Sequence, residues 1–309
     1  MTFMFDVTAL GEAMIEFNQT RPGEPNYLQG FGGDTSNAAI AAARAGARTA
    51  YLTRLGQDSF GDLLLDLWKT EQVDTSGIER DTAAPTGLYF VTHGANGHEF
   101  TYRRAGSAAA RMDADWLERA ATQAVLRSTK FLHVSGISLA ISASARGAAL
   151  LAMRQARESG AQVAFDANLR LKLWTLEQAR EGIAQAMALT DVFLPSIDDV
   201  TALNGMRDPA QVIAWGHQAG ARLVVVKLGA DGCVASDGRR QQALPGHRVQ
   251  AVDATGAGDC FSGNLLARLA AGDDVFTAAR YANAAAALAV QGWGAVAPLP
   301  RPGQVRGLP

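Results

Sequence analysis

The sequence predicts an α/β fold in which a mostly parallel, doubly wound sheet carries a small additional β-sheet as a lid. From residue 113 onward, strand-like apolar segments alternate with helical segments, as repeated βα units do. Two β-rich segments, 13–33 and 84–108, interrupt this alternation and predict the separate sheet. The other segments, 1–12, 34–83 and 109–309, are expected to form the α/β domain. A chain of 309 residues that is 48% hydrophobic can bury the large core that such a domain needs.

The N-terminal elements begin with a buried strand and a helix that follows a pair of glycines. Residues 5–10 predict the strand, and an alanine-rich helix runs over about 38–44. Residues 50–55 predict the next strand. Residues 60–68 carry apolar side chains at helical spacing, which is more typical of a core helix than of a cofactor site.

The second β-rich segment predicts a hairpin with strands at 88–92 and 99–104. Gly94, Asn96 and Gly97 supply its turn. Combined with the extended pieces of residues 13–31, this hairpin builds the small sheet. Two β segments that are distant in sequence and interrupt one α/β domain suggest a lid over a binding site.

The C-terminal half contains the regular alternation of strands and helices. Helices are expected at 142–159, from a capping box at Thr175, at 259–271 and at 275–290. Strands are expected at 131–135, 162–166, 191–194 and 223–228, with additional antiparallel strands at 233–236 and 248–252. The proline-rich tail is expected to be irregular.

Composition excludes several classes of protein. A net charge of −2 without a Lys/Arg run argues against nucleic-acid binding. The five histidines and two cysteines show no zinc-ligand spacing, and the cysteines fit reduced thiols. The N-terminus lacks the basic flank of a signal peptide, and no apolar run approaches the ~18 residues of a membrane span. We therefore expect a cytoplasmic protein with no membrane partner.

The stretch 252–261 (VDATGAGDCF) has the composition of an anion-binding turn at the start of a helix. Gly256 and Gly258 let the backbone approach a ligand without a Cβ in the way. The free N–H groups and dipole of the helix that follows favour a phosphate. Asp259, in the first helical turn, is placed to take a proton from an attacking hydroxyl, which suits phosphoryl transfer to an alcohol. The alternative is a tight βα turn in which Asp259 only caps the helix.

Polar loops after the predicted strands favour the phosphate site. The stretches 166–170, 195–199 and 228–232 each follow a strand, as the stretch 252–261 does. Ligands of such sheets bind beyond the carboxyl ends of the strands. If the strands are parallel, all four loops therefore meet at one edge.

On these residues, the chain resembles the ribokinase-like (PfkB) carbohydrate kinases over nearly its whole length. Residues 32–39 (GGDTSNAA) are similar to the N-terminal glycine signature of that family, and residues 253–259 (DATGAGD) to its C-terminal signature. Within the family, the chain looks most like the 2-keto-3-deoxygluconate kinases, through residues 102–108 (YRRAGSA), residues 165–174 (FDANLRLKLW) and Tyr89.

The resemblance implies a role for each matching residue. Asp259 corresponds to the catalytic base, and Gly256, Ala257 and Gly258 to the anion hole. The implied substrate contacts are Gly33, Asp34, Asn37, Tyr89, Tyr102, Arg104, Arg170 and Asp259. The implied ATP contacts are Ser196, Lys227, Gly229, Gly232, Thr255, Gly256, Gly258 and Asn283.

Two arginines argue for an acidic substrate, because a guanidinium fork binds a carboxylate well. The alternatives are a solvated hairpin face for Arg104 and a surface salt bridge for Arg170. Tyr89 and Tyr102 could equally pack within the lid, and Asp34 could cap a helix.

One stretch departs from the family pattern. Many members carry Asn-x-x-Glu, which helps to place magnesium, where this chain has Ser196-Ile197-Asp198-Asp199. Asp199 keeps the charge and is expected to act through water, with Mg²⁺ held mainly by the phosphates of ATP. Some relatives also hold a monovalent cation, for which Asp253 and Thr255 are the candidates.

The resemblance implies ATP-dependent phosphorylation of 2-keto-3-deoxygluconate to its 6-phosphate, by a homo-oligomer that pairs through the lid. The nearer alternative is another sugar kinase of the family, such as a fructokinase or ribokinase. An NAD-dependent dehydrogenase is disfavoured because no G-x-G-x-x-G follows the first strand. A sugar-binding regulator is disfavoured because the base is intact.

Overall fold

The computed structural model describes residues 3–94 and 97–308 and contains a nine-stranded sheet, a four-stranded sheet and a two-stranded sheet. Asn96 of the predicted hairpin turn lies outside the described residues. The strands are β1 (Phe5–Leu10), β2 (Met14–Gln19), β3 (Tyr27–Gly32), β4 (Thr49–Leu52), β5 (Arg54–Gly56), β6 (Val73–Asp74), β7 (Glu79–Asp81), β8 (Gly87–Gly94), β9 (Gly97–Arg103), β10 (Thr129–Ser135), β11 (Gln162–Asp166), β12 (Val192–Phe193), β13 (Leu223–Lys227), β14 (Cys233–Ser236) and β15 (Gln241–Leu244).

Most α-helices connect consecutive strands of the large sheet, and two short 3₁₀ helices occupy Ala109–Arg111 and Gly229–Asp231. The α-helices are α1 (Asp34–Arg44), α2 (Ser59–Thr70), α3 (Ala114–Leu117), α4 (Ala120–Arg127), α5 (Gly136–Ala140), α6 (Ala143–Glu158), α7 (Leu176–Met187), α8 (Ile197–Asn204), α9 (Pro209–Gln218), α10 (Ala257–Ala270), α11 (Val275–Ala289) and α12 (Pro302–Arg306).

The large sheet confirms the predicted fold class. Its order is β15-β14-β13-β12-β11-β10-β1-β4-β6, and only β14 and β15 run antiparallel to their neighbours. One face packs against α3 to α9 and the other against α1, α2, α10 and α11. Covering both faces explains why the central strands are almost wholly apolar, with Val224, Val225 and Val226 all buried.

The small sheet is built from the two predicted β-rich segments, in the order β3-β2-β8-β9. The β8–β9 hairpin is antiparallel, as is β2–β3, whereas β2 and β8 pair in parallel. Phe17 of β2 stacks on Phe90 of β8 with ring centroids 5.3 Å apart, which joins the two segments through aromatic packing.

Two predicted strands and the tail differ in the structure. The predicted strand at 50–55 leaves the large sheet after Leu52, and β5 pairs with β7 instead. The predicted strand at 248–252 is wrong, because the N–H of Val252 donates to the carbonyl of Val290 at 2.7 Å and that segment lines a cavity instead. The antiparallel edge strand is β15, and the tail, expected to be irregular, contains α12.

No helix in the described part of the chain is both long enough and apolar enough to cross a membrane.

Candidate active site

The two glycine-containing stretches meet because α1 and α10 pack side by side. A Cβ on Gly263 of α10 would lie 2.2 Å from the carbonyl oxygen of Ala38 on α1, so only glycine permits this close approach. The packing brings Asn37 to Asp259, and Asn37 Nδ2 donates to Asp259 Oδ2 at 2.8 Å. Residues 222 positions apart in sequence thus form one site.

The turn before α10 has the backbone conformation that its glycines predict. Gly256 adopts a left-handed φ of 76°, and no side chain caps the helix N-terminus. The N–H of Ala257 donates to the carbonyl of Ala254 at 3.2 Å. Asp259 lies in the first turn of α10, where its carboxylate faces Asn37.

The carboxyl group of Asp259 is tuned toward neutral pH. Burial, and then the nearby charge of Asp34, raise the pKa of Asp259 to about 7. The hydrogen bond from Asn37 and the charge of Lys227 oppose that rise. A carboxylate with a pKa near 7 is well matched to accepting a proton from an alcohol.

Polar groups of α1 and of the loop after β11 lie together where sugar contacts are predicted. Asn168 Nδ2 donates to Asp34 Oδ2 at 2.8 Å. Asp34 Oδ1 and Asn37 Oδ1 are buried without a hydrogen-bond partner among the described residues. Because buried acceptors are normally paired, these two atoms fit the hydroxyl groups of a ligand. Gly33 supports the arrangement with a φ of 116° that a side chain would strain.

A buried ion pair lies beside the glycine turn. Lys227 Nζ contacts Asp166 Oδ2 at 2.5 Å, and a Cβ on Gly258 would lie 3.4 Å from the same nitrogen. Lys227 was predicted as an ATP contact, but Asp166 was not singled out. The available signal is that Asp166 is a carboxylate at the carboxyl end of the apolar strand β11.

Five of the eight predicted ATP contacts border a cavity of about 570 Å³. Its walls are largely apolar, with Phe261 and Val290 among them, which suits a planar base. The structure brings Lys227, Gly229, Gly232, Gly258 and Asn283 together in this lining. Ser196, Thr255 and Gly256 are not part of it.

Two of these lining residues shape the cavity wall. A Cβ on Gly232 would lie 2.2 Å from the carbonyl of Leu244, so the loop requires glycine there. Asn283 Nδ2 donates to the same carbonyl at 3.1 Å and so fixes the loop after β15.

Ser196 and Asp199 form the start of α8. Ser196 Oγ accepts from the N–H of Asp199 at 3.0 Å, as an N-cap does. Burial, and then the charge of Asp166, raise the pKa of Asp199. Asp199 Oδ1 lies 3.6 Å from Arg170 Nη1. Among the described residues no group of three or more His, Cys, Asp or Glu side chains is arranged to hold a metal ion.

The cation candidates Asp253 and Thr255 bond to each other. Thr255 donates to Asp253 Oδ1 through its N–H at 2.9 Å and its hydroxyl at 2.6 Å. Asp253 Oδ2 accepts from the N–H of Gly294 at 2.9 Å. These bonds stiffen the loop just before Gly256, and the cation site stays a prediction.

Arg104 lies at the contact between the small sheet and the large domain, whereas Tyr89 packs within the small sheet, with its ring centroid 5.6 Å from that of Tyr102. Arg104 Nη2 contacts Glu12 Oε2 at 2.5 Å, and the two side chains are only 11% and 0% exposed. Arg104 therefore does not lie on a solvated face. Tyr89 donates its hydroxyl to Glu16 Oε2 at 2.5 Å, and burial raises the pKa of Tyr89 far above its ordinary value. Neither glutamate was singled out, although Glu12 closely follows β1.

Arg170 and Tyr102 are more accessible than Arg104 and Tyr89. The side chain of Arg170 is 53% exposed, and its Nη1 donates to the carbonyl of Leu169 at 2.8 Å. Tyr102 is 38% exposed, and the charges of Arg104 and Arg170 reach its hydroxyl. The side chains of both residues are thus accessible to solvent.

Comparison with known proteins shows the family to which the chain is similar. The profile of the pfkB family carbohydrate kinases matches residues 4–302. The chain is 35% identical to the 2-dehydro-3-deoxygluconokinase of Escherichia coli K12 over 305 residues, covering 94% of this chain and 97% of that protein. It is also 35% identical to a fructokinase of Solanum tuberosum over 270 residues, covering 85% and 80% of the two chains. The crystal structure of a fructokinase with bound ATP from Xylella fastidiosa superposes with a TM-score of 0.90 at 28% identity, covering 98% of each chain.

Proposed function

Because the chain belongs to the pfkB family of carbohydrate kinases, we propose that it phosphorylates 2-keto-3-deoxygluconate at its 6-hydroxyl with ATP. The observation that carries the proposal is the position of Asp259. Its carboxylate lies at the glycine turn, between the apolar cavity and the pair of unpartnered acceptors on Asp34 and Asn37.

In the proposed reaction, Asp259 accepts the proton of the attacking hydroxyl as the oxygen–phosphorus bond forms. The backbone N–H groups at Gly256–Gly258 and at the start of α10 stabilise the charge on the phosphoryl group in the transition state of the transfer. Lys227, beside Gly258, adds a positive charge on the same side. The small sheet (13–33 and 84–108) serves as the lid that excludes water.

ATP is proposed to place its base in the cavity near Asn283 and its phosphates toward Gly258. Magnesium, if bound with ATP, would neutralise phosphate charge and would be held mainly by phosphate oxygens. Asp199 is the one protein carboxylate proposed to reach that metal, through water.

An acidic substrate is favoured by Arg170. Its guanidinium is half exposed and lies 3.6 Å from its partner Asp199, so it has donors available for a substrate carboxylate. Arg104 is already neutralised by Glu12, so it contributes chiefly by holding Tyr102, whose ring centroid lies 5.6 Å from its guanidinium carbon. The E. coli 2-dehydro-3-deoxygluconokinase, similar over nearly the whole chain, supports this choice.

Fructose is the second candidate substrate, because the similarity to the Solanum fructokinase reaches the same identity. A coupled ATP assay separates the candidates when it compares the gluconate- and galactonate-derived keto-deoxy acids with fructose and ribose. We expect the highest kcat/KM with a keto-deoxy acid, and a loss of that preference in Arg170→Ala. Preference for a neutral sugar that Arg170→Ala leaves unchanged would refute the acidic substrate.

We also propose that two copies pair through their small sheets. The edge strands of the small sheet expose large apolar side chains: Leu28 of β3 is 67% exposed and Phe100 of β9 is 37% exposed. We place the enzyme in the cytoplasm, where ATP is supplied and where the free thiols of Cys233 and Cys260 stay reduced.

A further inference from the structure

Asp166 lies at the centre of the site, although it was not among the predicted functional residues. It ends β11, a central strand of the large sheet, and is 4% exposed. A carboxylate buried this deeply is costly unless it is paired. Both of its oxygens are used.

One oxygen of Asp166 anchors the phosphate side of the site. Oδ2 contacts Lys227 Nζ at 2.5 Å and accepts from the hydroxyl of Ser262 at 3.3 Å. Lys227 belongs to β13, and Ser262 lies one turn beyond Asp259 on α10. The lysine is thereby held 3.4 Å from the position that a Cβ on Gly258 would take.

The other oxygen of Asp166 anchors the sugar side. Oδ1 accepts from the N–H of Asn168 at 3.2 Å, which closes a tight turn. Asn168 adopts a φ of 28°, a conformation that non-glycine residues rarely take. In that conformation its side chain reaches Asp34 Oδ2 at 2.8 Å. Strain of this kind persists when surrounding contacts fix it, and it is frequent at functional sites.

We propose that Asp166 is a positioning residue that holds Lys227 against the phosphate side and Asn168–Asp34 against the sugar side, so that the two substrates meet across Asp259. The proposal rests on the proposed role of Asp259 as the base. Neither the choice of sugar nor the identity of the lid enters it.

The charges around Asp259 make the proposal testable by pH. Asp34 of α1 and Asp166 of β11 raise the pKa of Asp259, and Lys227 of β13 and the hydrogen bond from Asn37 lower it. Asp259 also interacts electrostatically with Tyr89 of the small sheet and with Cys260 of α10. The two members of one ion pair therefore act on Asp259 with opposite signs.

The experiment measures kcat/KM for the preferred sugar against pH in Asp166→Asn and Lys227→Met. The acid limb is the range of low pH in which activity falls as Asp259 becomes protonated. It should move to lower pH in Asp166→Asn, which removes a negative charge near Asp259. It should move to higher pH in Lys227→Met, which removes a positive charge. A displacement of one pH unit changes the activity roughly tenfold at pH values below the limb. Lys227→Arg, which keeps the charge, should leave the limb in place.

A second readout separates the two anchored sides. Asp166→Asn should raise KM for both ATP and the sugar, whereas Asn168→Ala should raise KM for the sugar alone. The matched control is Glu71→Gln, which breaks the Arg44–Glu71 ion pair, whose side chains are 12% and 8% exposed. That variant should lose stability with no movement of the pH profile.

The proposal would be overturned if the acid limbs of Asp166→Asn and Lys227→Met moved in the same direction, or if neither moved. The Asp166–Lys227 ion pair would then have a structural role only. If Asp166→Asn fails to fold, the comparison of Lys227→Met with Lys227→Arg decides the same question. A wild-type profile with no acid limb would instead refute Asp259 as the base, which is a different failure.

Discussion

Arg104 and Arg170 show how burial separates two identical side chains. Arg104 is enclosed with Glu12, and Ser107 donates its hydroxyl to the other oxygen of that carboxylate at 2.6 Å. Arg170 is half exposed, and its ion pair with Asp199 is long, at 3.6 Å. From the sequence, both arginines are predicted to bind a substrate carboxylate. In the structure, only Arg170 is free enough to gain a new partner without breaking a buried pair.

We predict that truncating Arg104 lowers the stability of the protein, whereas truncating Arg170 weakens substrate binding. Arg104→Met should destabilise the protein by about 3–5 kcal/mol, because it leaves the buried charge of Glu12 unpaired. Arg170→Ala should leave the free energy of unfolding within ~0.5 kcal/mol. It should raise KM for a keto-deoxy acid by roughly 10- to 100-fold, the value of a lost charged hydrogen bond.

Denaturant unfolding and steady-state kinetics check both results. Glu12→Gln in the Arg104→Met background should restore part of the lost stability. An Arg170→Ala enzyme with unchanged KM for the acid would contradict its assignment.

At the scale of elements, the contact between α1 and α10 assembles the site. The sequence revealed each glycine stretch, because its turn chemistry is local. It did not reveal that Gly263 lets the two helices touch, because an alanine-rich helix gives no sign of which neighbour it meets. The wrong strand at 248–252 has a similar origin, since its polar and apolar alternation serves a cavity wall instead of a sheet.

Gly263→Ala tests this helix contact. The new Cβ would meet the carbonyl of Ala38, so α10 must move away from α1 and stretch the bond between Asn37 and Asp259. We expect a loss of about 1–3 kcal/mol in stability and a fall in kcat. Gly147→Ala is the matched control, because Gly147 also lies inside a helix but has nothing within 4 Å of its Cβ position.

The control variant should be stabilised by roughly 0.5–1 kcal/mol with kcat unchanged. Thermal unfolding and the coupled ATP assay measure both quantities. Equal effects of the two substitutions would show that the close approach of α1 and α10 is unimportant.

At the scale of the whole molecule, the sequence predicted the fold class and the small sheet, because strand–helix alternation and turn residues are local signals. The pairs Asp166–Lys227 and Glu12–Arg104 were not predicted. Each joins residues far apart in sequence, and only the order of strands and the seating of the small sheet bring them together. The family resemblance predicted the roles of individual residues, whereas the structure showed which residues contact one another.

We predict that pairing through the small sheets depends on the apolar side chains of their edge strands. Leu28→Glu combined with Phe100→Glu places charges on both edge strands and should convert a dimer to a monomer. Met4→Glu is the control, because Met4 is a large apolar residue, 61% exposed, that lies outside the small sheet. Light scattering after size-exclusion chromatography measures the mass of each variant. A wild-type monomer, or a double variant that stays dimeric, would contradict the proposed interface.

Asp259→Asn tests most directly whether Asp259 takes the proton from the sugar hydroxyl. Activity requires the ionised carboxylate, so with a pKa of about 7 the wild-type kcat/KM should rise with pH through that value. In Asp259→Asn, kcat should fall roughly 10²- to 10⁴-fold, while ATP still binds in the cavity near Asn283. An Asp259→Asn enzyme that turns over at a near-normal rate would contradict the account.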